Sequence, residues 1–288
     1  MRPREFAGAN GVRLAADVYG EAGRPSIVCL PGAGQTRYAW RRTALRLASL
    51  GYYVVSVDLR GHGGSSWACD GDYSIEAFAA DVHAMIRALP APPILLGASI
   101  GGIASAIAVG EATSCVARAL ILVDVVPDMA AEGLDRIRSF MSAGHAGFAS
   151  VEEASAAVLR YLPGRRPSSS HRGLKRNLRL GADGRWYWHW DPAFHAGSKN
   201  RADQGMFARM AAAVRKIRIP VLIISGSRSE VVSDNGVAQL RQLIPQAQWV
   251  QVSGATHMVA GDQNNAFNSA VSGFVRDLTA TGNTTTHE

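Results

Sequence analysis

Six short apolar runs separated by amphipathic stretches constrain this chain more than any other feature of its sequence. Each run is continuous or nearly continuous in apolar residues, as expected for parallel strands buried on both faces. The runs cover residues 27–30, 53–57, 94–96, 119–123, 221–224 and 249–252, and helical patterns cover 38–50, 74–89, 103–109 and 263–278. Strands alternating with helices predict a doubly wound α/β fold with a mostly parallel sheet. The pair Asn10-Gly11 predicts a type I′ hairpin at its start.

The alternation fails once, between residues 127 and 218. This stretch carries helical patterns but no convincing buried strand, and it includes a Pro- and Ser-rich turn at 163–170 and an aromatic run at 186–190. Open α/β sheets bind their ligands at the carboxyl edge of the strands. We therefore predict an α/β core formed by 1–126 and 219–288, with 127–218 inserted as a helical lid over that edge. A helical domain unrelated to the site is the alternative.

Composition and charge narrow the class of protein. The 288 residues are 47% hydrophobic and 18% charged, so apolar burial can outweigh chain entropy, and a mainly disordered protein is excluded. The formal net charge is +7, but the arginines are scattered and form one dense cluster, over 160–179. Nucleic acids require a concentrated basic face. We therefore expect a small-molecule partner and no nucleic acid.

The cysteines and the uncharged stretches bear on the compartment. Cys29, Cys69 and Cys115 are widely spaced without a CxxC pair, which fits neither a disulfide framework nor a zinc site, so we predict no metal and a reducing compartment, the cytoplasm. The uncharged stretch 88–110 is interrupted by prolines and glycines, and a strand followed by a buried helix explains its apolarity without a membrane span. No signal peptide is expected, because the N-terminal residues carry no apolar stretch.

A GxSxG motif supplies the candidate nucleophile. Gly97-Ala98-Ser99-Ile100-Gly101 follows the run 94–96 and opens a helical stretch. A serine in this context sits on a tight strand-to-helix turn, which needs small neighbours because the backbone passes close to itself. The turn places the N–H of Ile100 at a helix N-terminus, facing developing negative charge. We predict Ser99 as nucleophile and Ile100 as an oxyanion-hole donor.

A serine hydroxyl needs a base, and the base needs a carboxylate that orients it. His257 follows the run 249–252 on a loop at the same edge, which makes it the candidate base. Two main candidates compete for the acid. Glu230, on the loop after 221–224, is favoured; Asp124, at the end of 119–123, is the alternative, and Asp234 ranks third.

The loop after the first parallel run supplies the second oxyanion donor. Its sequence is Pro31-Gly-Ala-Gly34, and its glycines let the N–H of Ala33 turn into the site. Gly34, Met258 beside the histidine, and Trp188 of the aromatic run are predicted to bind substrate. A dinucleotide-binding reading of the same glycines fails, since Arg37 stands where the third glycine is required. We therefore expect no cofactor.

These motifs resemble the α/β-hydrolase superfamily, in particular its lid-bearing members with a serine nucleophile. The matching pieces are 30–36, 58–65, 97–102, 226–233 and 254–262, in the family's order of nucleophile, acid and histidine. The sequence departs from the family pattern twice. Pro31 replaces a histidine that often braces the oxyanion loop, and the favoured acid is Glu rather than Asp.

The resemblance implies hydrolysis of a carboxylic ester or lactone through an acyl-enzyme intermediate, with a Ser-His-Glu triad. Thioester hydrolysis, carbon–carbon bond hydrolysis and cofactor-free perhydrolysis use the same constellation, so these alternatives stay open. A non-catalytic ligand receptor on the same fold is a further alternative. The natural substrate and the oligomeric state are left undetermined.

Overall fold

The computed structural model describes residues 1–162, 171–196, 200–262 and 264–282. Its strands, in chain order, are β1 (Arg2–Ala7), β2 (Arg13–Tyr19), β3 (Ser26–Leu30), β4 (Tyr53–Val57), β5 (Ile94–Ala98), β6 (Ala119–Val123), β7 (Leu178–Leu180), β8 (Trp186–Trp188), β9 (Val221–Gly226) and β10 (Gln248–Val252). Eight of them form one sheet in the order β1-β2-β4-β3-β5-β6-β9-β10, with β7 and β8 in a separate hairpin. In the large sheet the pairs β1–β2 and β2–β4 are antiparallel, and the other five pairs are parallel. The predicted mostly parallel α/β fold is confirmed, and all six apolar runs are strands.

Helices cover both faces of this sheet. In chain order they are α1 (Arg41–Ser49), α2 (Ile75–Arg87), α3 (Ile100–Gly110), α4 (Ala131–Ser142), α5 (Val151–Tyr161), α6 (Arg172–Lys175), α7 (Ala193–Ala196), α8 (Asn200–Val214), α9 (Asp234–Leu243), α10 (Val259–Asp262) and α11 (Asn264–Gly282). One apolar core packs α2, α3, α8 and α9 against the sheet, and a second packs α1 and α11 against the opposite face. The strands feed both cores alternately: in β3, Val28 and Leu30 face one core, while Ile27 and Cys29 face the other. Residue 263, where the last helix was predicted to begin, lies outside the described residues.

The first hairpin has the turn that its sequence predicts. Asn10 and Gly11 both have positive φ, at 55° and 74°, and the N–H of Val12 donates to the carbonyl of Ala9 at 3.2 Å. Positive φ at both central residues defines the type I′ turn and matches the twist of the flanking strands.

The insertion differs from the prediction at two places. The segment predicted to lack strands contains the antiparallel hairpin β7–β8, whose pairing is extended by a bridge between Phe148 and Trp186. In addition, α8 packs on core helix α3 so closely that a Cβ atom at Gly110 would lie 2.1 Å from the carbonyl oxygen of Ala213. The predicted lid, which ends at residue 218, therefore includes α8, a helix that packs with the core. We use "inserted segment" for residues 131–196; the predicted turn at 163–170 lies outside the described residues.

The loop that follows β4, residues 58–66, is fixed by two buried ion pairs. Arg60 is fully buried, and its Nε and Nη2 atoms each contact a carboxylate oxygen of Asp81 at 2.7 Å. Asp58 is also fully buried and pairs with the guanidinium of Arg37, while it accepts the N–H of Gly64 at 2.8 Å. Buried charges must be paired in this way, because an unpaired one would lose its hydration without compensation.

The inserted segment is attached to this loop. The N–H of Asp191 donates to the carbonyl of Gly61 at 2.8 Å, and its carboxylate accepts the hydroxyl of Tyr73 at 2.5 Å. A third bond joins the hydroxyl of Thr36 to Asn177 Oδ1 at 3.1 Å. Because residues 36 and 61 follow the carboxyl ends of β3 and β4, these bonds hold the inserted segment at that edge of the sheet.

Two buried histidines complete the attachment, and both hold Gly34. Gly34 N–H donates to Nε2 of His62 at 3.1 Å, while Nδ1 of His62 lies 2.9 Å from the carbonyl of Arg60 and so carries the proton. Nδ1 of His189 accepts the N–H of Gly63 at 2.7 Å, which leaves its Nε2 to donate to the carbonyl of Gly34 at 3.3 Å. We call this arrangement the Gly34 clamp. Each ring needs one bare nitrogen, so the clamp requires both imidazoles to be neutral.

Burial keeps these rings neutral, which predicts a pH-dependent stability. Burial lowers the pKa of His62 to about 4 and that of His189 to about 3, from an ordinary 6.5. Below pH 6.5 these two histidines therefore bind protons in the unfolded chain but stay unprotonated in the folded chain. The free energy of unfolding should fall as the pH falls from 6.5 to 4, by at most about 1.4 kcal/mol per pH unit for each histidine.

Urea unfolding at several pH values tests this expectation. His62→Gln removes one titrating group, so it should flatten the dependence between pH 6.5 and 4. His145→Gln, at an exposed position, is the matched control and should keep the wild-type slope. Equal slopes in all three proteins would contradict the prediction.

Candidate active site

Ser99 stands on a strained turn between β5 and α3. Its φ of 48° and ψ of −122° lie in a region that costs a non-glycine residue on the order of 1–3 kcal/mol. Small neighbours are compulsory at this turn: a Cβ at Gly97 would lie 2.6 Å from the carbonyl oxygen of Gly101, and one at Gly101 would lie 2.5 Å from that of Pro31. The motif thus presents the serine where the ends of β3 and β5 meet the first turn of α3.

Asp124 follows the neighbouring strand and contacts the predicted base. Ala98 pairs with Val123 in the sheet, and the N–H of Ser99 donates to the carbonyl of Val123 at 3.2 Å. Asp124 is therefore one residue beyond the strand that lies beside the serine. Its Oδ2 atom lies 2.7 Å from Nδ1 of His257, and its side chain is 1% exposed. A carboxylate at Nδ1 directs the ring proton to that atom and leaves Nε2 as the basic nitrogen.

Two further donors fix this carboxylate. The N–H of Gly226 donates to Oδ1 of Asp124 at 3.0 Å, and the hydroxyl of Ser229 donates to Oδ2 at 2.6 Å. Together with His257 they hold both oxygens of a buried charge, which satisfies the requirement that such groups be hydrogen-bonded. Ser229 was not singled out in the sequence, since an isolated serine in a polar loop gives no signal.

The favoured acid, Glu230, is wrong as the partner of His257. Its Oε1 atom pairs with Nη1 of Arg136 at 2.7 Å, and its side chain is 50% exposed. The loop turns it away because Ser229 faces inward to Asp124, so the next side chain points towards α4. Asp234, the third candidate, accepts a hydrogen bond from Gln251 at 2.6 Å instead. The contact with His257 is made by the alternative, Asp124.

The predicted oxyanion loop lies against the serine. A Cβ at Gly32 would be 3.3 Å from Cβ of Ser99, so the loop passes close enough to the serine to leave little room for a side chain at position 32. The N–H of Gly32 donates to Oε1 of Gln35 at 3.2 Å, and Nε2 of Gln35 lies 3.1 Å from the sulfur of Met258. Gln35, which the sequence analysis passed over, thus joins this loop to the residue after His257. The donor roles of Ala33 and Ile100 stay predictions.

The aromatic run contributes Trp190 to this loop rather than Trp188. A Cβ at Gly34 would lie 3.3 Å from the ring of Trp190 and 3.1 Å from Cε of Met141. Trp188 is 5% exposed, stacks on Trp190 at 5.0 Å between ring centroids, and donates from Nε1 to the carbonyl of Ala143 at 2.8 Å. These contacts account for its burial inside the inserted segment. Substrate binding by Trp188, Gly34 and Met258 remains a prediction.

The described residues form neither a metal-binding cluster nor a membrane-spanning helix. Across those ranges no group of three or more His, Cys, Asp or Glu side chains is arranged to hold a metal ion. In the same part of the chain no helix combines the length and the apolarity that crossing a membrane requires.

Comparison with known proteins agrees with this architecture. An esterase of Mycobacterium tuberculosis is 28% identical over 258 residues, covering 86% of this chain and 82% of the esterase. A 2-(acetamidomethylene)succinate hydrolase of Mesorhizobium japonicum is 27% identical over 251 residues, covering 86% of each chain. The crystal structure of an E-2-(acetamidomethylene)succinate hydrolase superimposes with a TM-score of 0.83 at 23% identity, covering 95% of this chain and 98% of the other.

A family model described as the alpha/beta hydrolase fold matches residues 25–262. The match begins just before β3 and ends at the last residue of α10, so it includes the serine turn, Asp124 and His257. The chain therefore belongs to the alpha/beta hydrolase family.

Proposed function

We propose that the protein is a serine hydrolase that cleaves a carboxylic ester or lactone through an acyl-enzyme intermediate. The observation that carries the proposal is the 2.7 Å contact between His257 Nδ1 and the buried Asp124 carboxylate, one residue beyond the strand beside the strained Ser99. A nucleophile after β5, an orienting acid after the adjacent β6 and a base after β10 form the constellation that acyl transfer requires. The acid of this proposal is Asp124 and not Glu230.

The reaction follows from the roles of these three side chains. The hydroxyl of Ser99 attacks the carbonyl carbon while Nε2 of His257 takes its proton. The imidazolium then gives the proton to the leaving alkoxide, and the acyl group stays on the serine. A water molecule, deprotonated by the same nitrogen, releases the carboxylic acid. Asp124 keeps its charge throughout and stabilises the imidazolium.

The negative oxygen of each tetrahedral intermediate needs hydrogen-bond donors. We assign them to the N–H groups of Ala33 and Ile100. Ile100 is the first residue of α3, where N–H groups lack helical partners and favour negative charge. Ala33 lies between Gly32, where even an added Cβ would crowd Ser99, and Gly34, whose peptide groups the clamp fixes at both N–H and carbonyl. A fixed loop costs no reorganisation when the charge develops.

An esterase among the relatives, matched over 82% of its length, supports ester hydrolysis. A 2-(acetamidomethylene)succinate hydrolase matches at nearly the same identity, so the other reactions of this constellation stay as alternatives. The inserted segment, held at the carboxyl edge of the sheet, is assigned the role of a lid over the site. The three cysteines are free, which agrees with a reducing compartment, the cytoplasm. A panel of p-nitrophenyl esters of increasing chain length, together with simple lactones, tests the proposed reaction; a receptor would turn over none of them.

Ser99→Ala should abolish turnover without unfolding the protein. Loss of a triad nucleophile typically lowers kcat on the order of 10⁶-fold. Ser105→Ala is the matched control in the same helix: its hydroxyl donates only to the carbonyl of Gly101, so activity should stay within a few fold. Initial rates and the thermal midpoint are measured on all three proteins. Turnover by purified Ser99→Ala at the wild-type rate would refute the mechanism.

Asp124→Asn should lower kcat by roughly 10⁴-fold, because the amide keeps the size but removes the charge that fixes the tautomer and stabilises the imidazolium. Glu230→Gln breaks only a half-exposed ion pair with Arg136 and should leave kcat near the wild-type value. Steady-state kinetics on both variants ranks the two carboxylates. The reverse ranking would return the acid role to Glu230.

His189→Phe should lower kcat by about 10- to 100-fold, since small displacements of a positioned group cost that much. KM for a short ester should change little, because His189 acts through the Gly34 peptide as a positioning residue. His189→Gln keeps one donor and one acceptor and should recover part of the loss. An unchanged kcat in His189→Phe, whatever its thermal midpoint, would show that the clamp serves stability alone.

A further inference from the structure

A cavity of about 440 Å³ lies between the inserted segment and the loops that follow β3 and β4. Its walls include Tyr38 and Trp67 from the core, and Arg176 and Arg179 from the inserted segment. Among the described residues that line it, none belongs to the proposed triad. This cavity also uses the one dense arginine cluster of the sequence, which the hydrolase mechanism leaves unexplained.

Both arginines of the inserted segment are stacked on aromatic rings. The guanidinium carbon of Arg179 lies 5.2 Å from the ring centroid of Trp67 and 4.9 Å from that of Tyr187. The guanidinium carbon of Arg176 lies 4.8 Å from the centroid of Tyr38. Stacking occupies the faces of a guanidinium and leaves the N–H groups at its edge available for planar recognition of an anion. The two cations are therefore held in place before a ligand arrives.

The carboxylates that the structure describes leave the charges of these two arginines unpaired. In the described ranges of the chain, neither Arg176 nor Arg179 forms an ion pair with a carboxylate, and Nε of Arg179 is buried with no hydrogen-bond partner. Arg37, the third arginine of the wall, differs, because Asp58 and Asp17 both pair with it. A buried donor without a partner is rare in folded proteins and calls for a ligand or water.

We propose that this cavity binds a small molecule through a doubly charged oxyanion, a phosphate or a dicarboxylate. Two cations that pair with no carboxylate among the described residues match two negative charges, and each guanidinium edge presents paired N–H donors to anionic oxygens. Asp58, the acidic group in the wall, is fully buried and engaged by Arg37 and by the N–H of Gly64, so it does not repel the ligand at close range. His189, which also lines the wall, is neutral in the clamp.

Calorimetric titration with inorganic phosphate and with malonate, at matched ionic strength, tests the site. The wild-type protein should bind at least one of them saturably. The double variant Arg176→Gln/Arg179→Gln should bind at least about tenfold more weakly, because charge-assisted bidentate bonds are lost. The matched control is Arg42→Gln/Arg46→Gln, which removes the same charge from exposed positions on α1 and should bind like the wild type.

Two results of the titration would contradict the proposal. Equal affinity in the two double variants, or no saturable heat with either anion, would overturn it. Thermal midpoints without anion show whether the Arg176/Arg179 variant is folded. If that variant is destabilised, Arg179→Lys serves in its place: it keeps the charge, loses the planar edge, and should bind less tightly than the wild type. The binding measurement does not depend on the proposed ester hydrolysis.

A kinetic experiment, which does rest on the proposed function, distinguishes the source of the anion. If the oxyanion belongs to the hydrolysed molecule, phosphate or malonate should raise KM for an ester that carries a distal carboxylate, and leave KM of a neutral ester unchanged. If the anion is a separate ligand, it should change KM of both esters by the same factor. Either result supports the site and assigns its ligand.

Discussion

The buried ion pair between Arg60 and Asp81 underlies most of the arrangement at the carboxyl edge of the sheet. It fixes the loop 58–66, and that loop carries the groups that reach outward: the ring of His62 holds Gly34, the N–H of Gly63 orients His189, and the carbonyl of Gly61 receives Asp191. Removing one partner of a buried pair typically costs 3–5 kcal/mol, since the other charge is left uncompensated. Asp81 also accepts the N–H of Ala9, so the same carboxylate ties the first hairpin to the loop.

Three histidines near the site illustrate how the partners of a side chain determine its chemistry. His257 has the Asp124 carboxylate at Nδ1, the partner that the proposed mechanism requires of its base. His62 and His189 contact backbone groups in an apolar setting, and burial lowers the pKa of both. One type of side chain thus serves as the proposed base at one position and as an uncharged connector at two others. The clamp also answers the question raised by Pro31: the loop lacks the usual bracing histidine but is braced from two other directions.

The sequence predicted the parts of this molecule that depend on local pattern. Strands buried on both faces have continuous apolar sequences, which can be recognised without a structure. The serine turn can be recognised as well, because it needs glycines at fixed positions. The sequence could not decide between Glu230 and Asp124 as the acid. Both residues follow strands at the same edge, and spacing does not tell which side chain turns inward. That direction depends on Ser229 and Gly226, which lie far from Asp124 along the chain. The hairpin β7–β8 was not predicted from the sequence for a related reason. Strands of three residues are too short to show an alternation of apolar and polar residues, and the consecutive aromatic residues of β8 hide what alternation there is.

Ser99 and Asp124 share one unusual feature, a left-handed backbone with φ of 48° at both positions. Neither conformation is favourable for its own residue, so both are imposed by the packed strand ends and by the helix that begins beside them. A loosening confined to these strand ends releases the strain while the rest of the sheet stays paired. Relaxation at these two residues needs less disruption than opening the sheet. The protein should therefore lose its reactive geometry on heating before its secondary structure melts, and heat inactivation and unfolding become separate events.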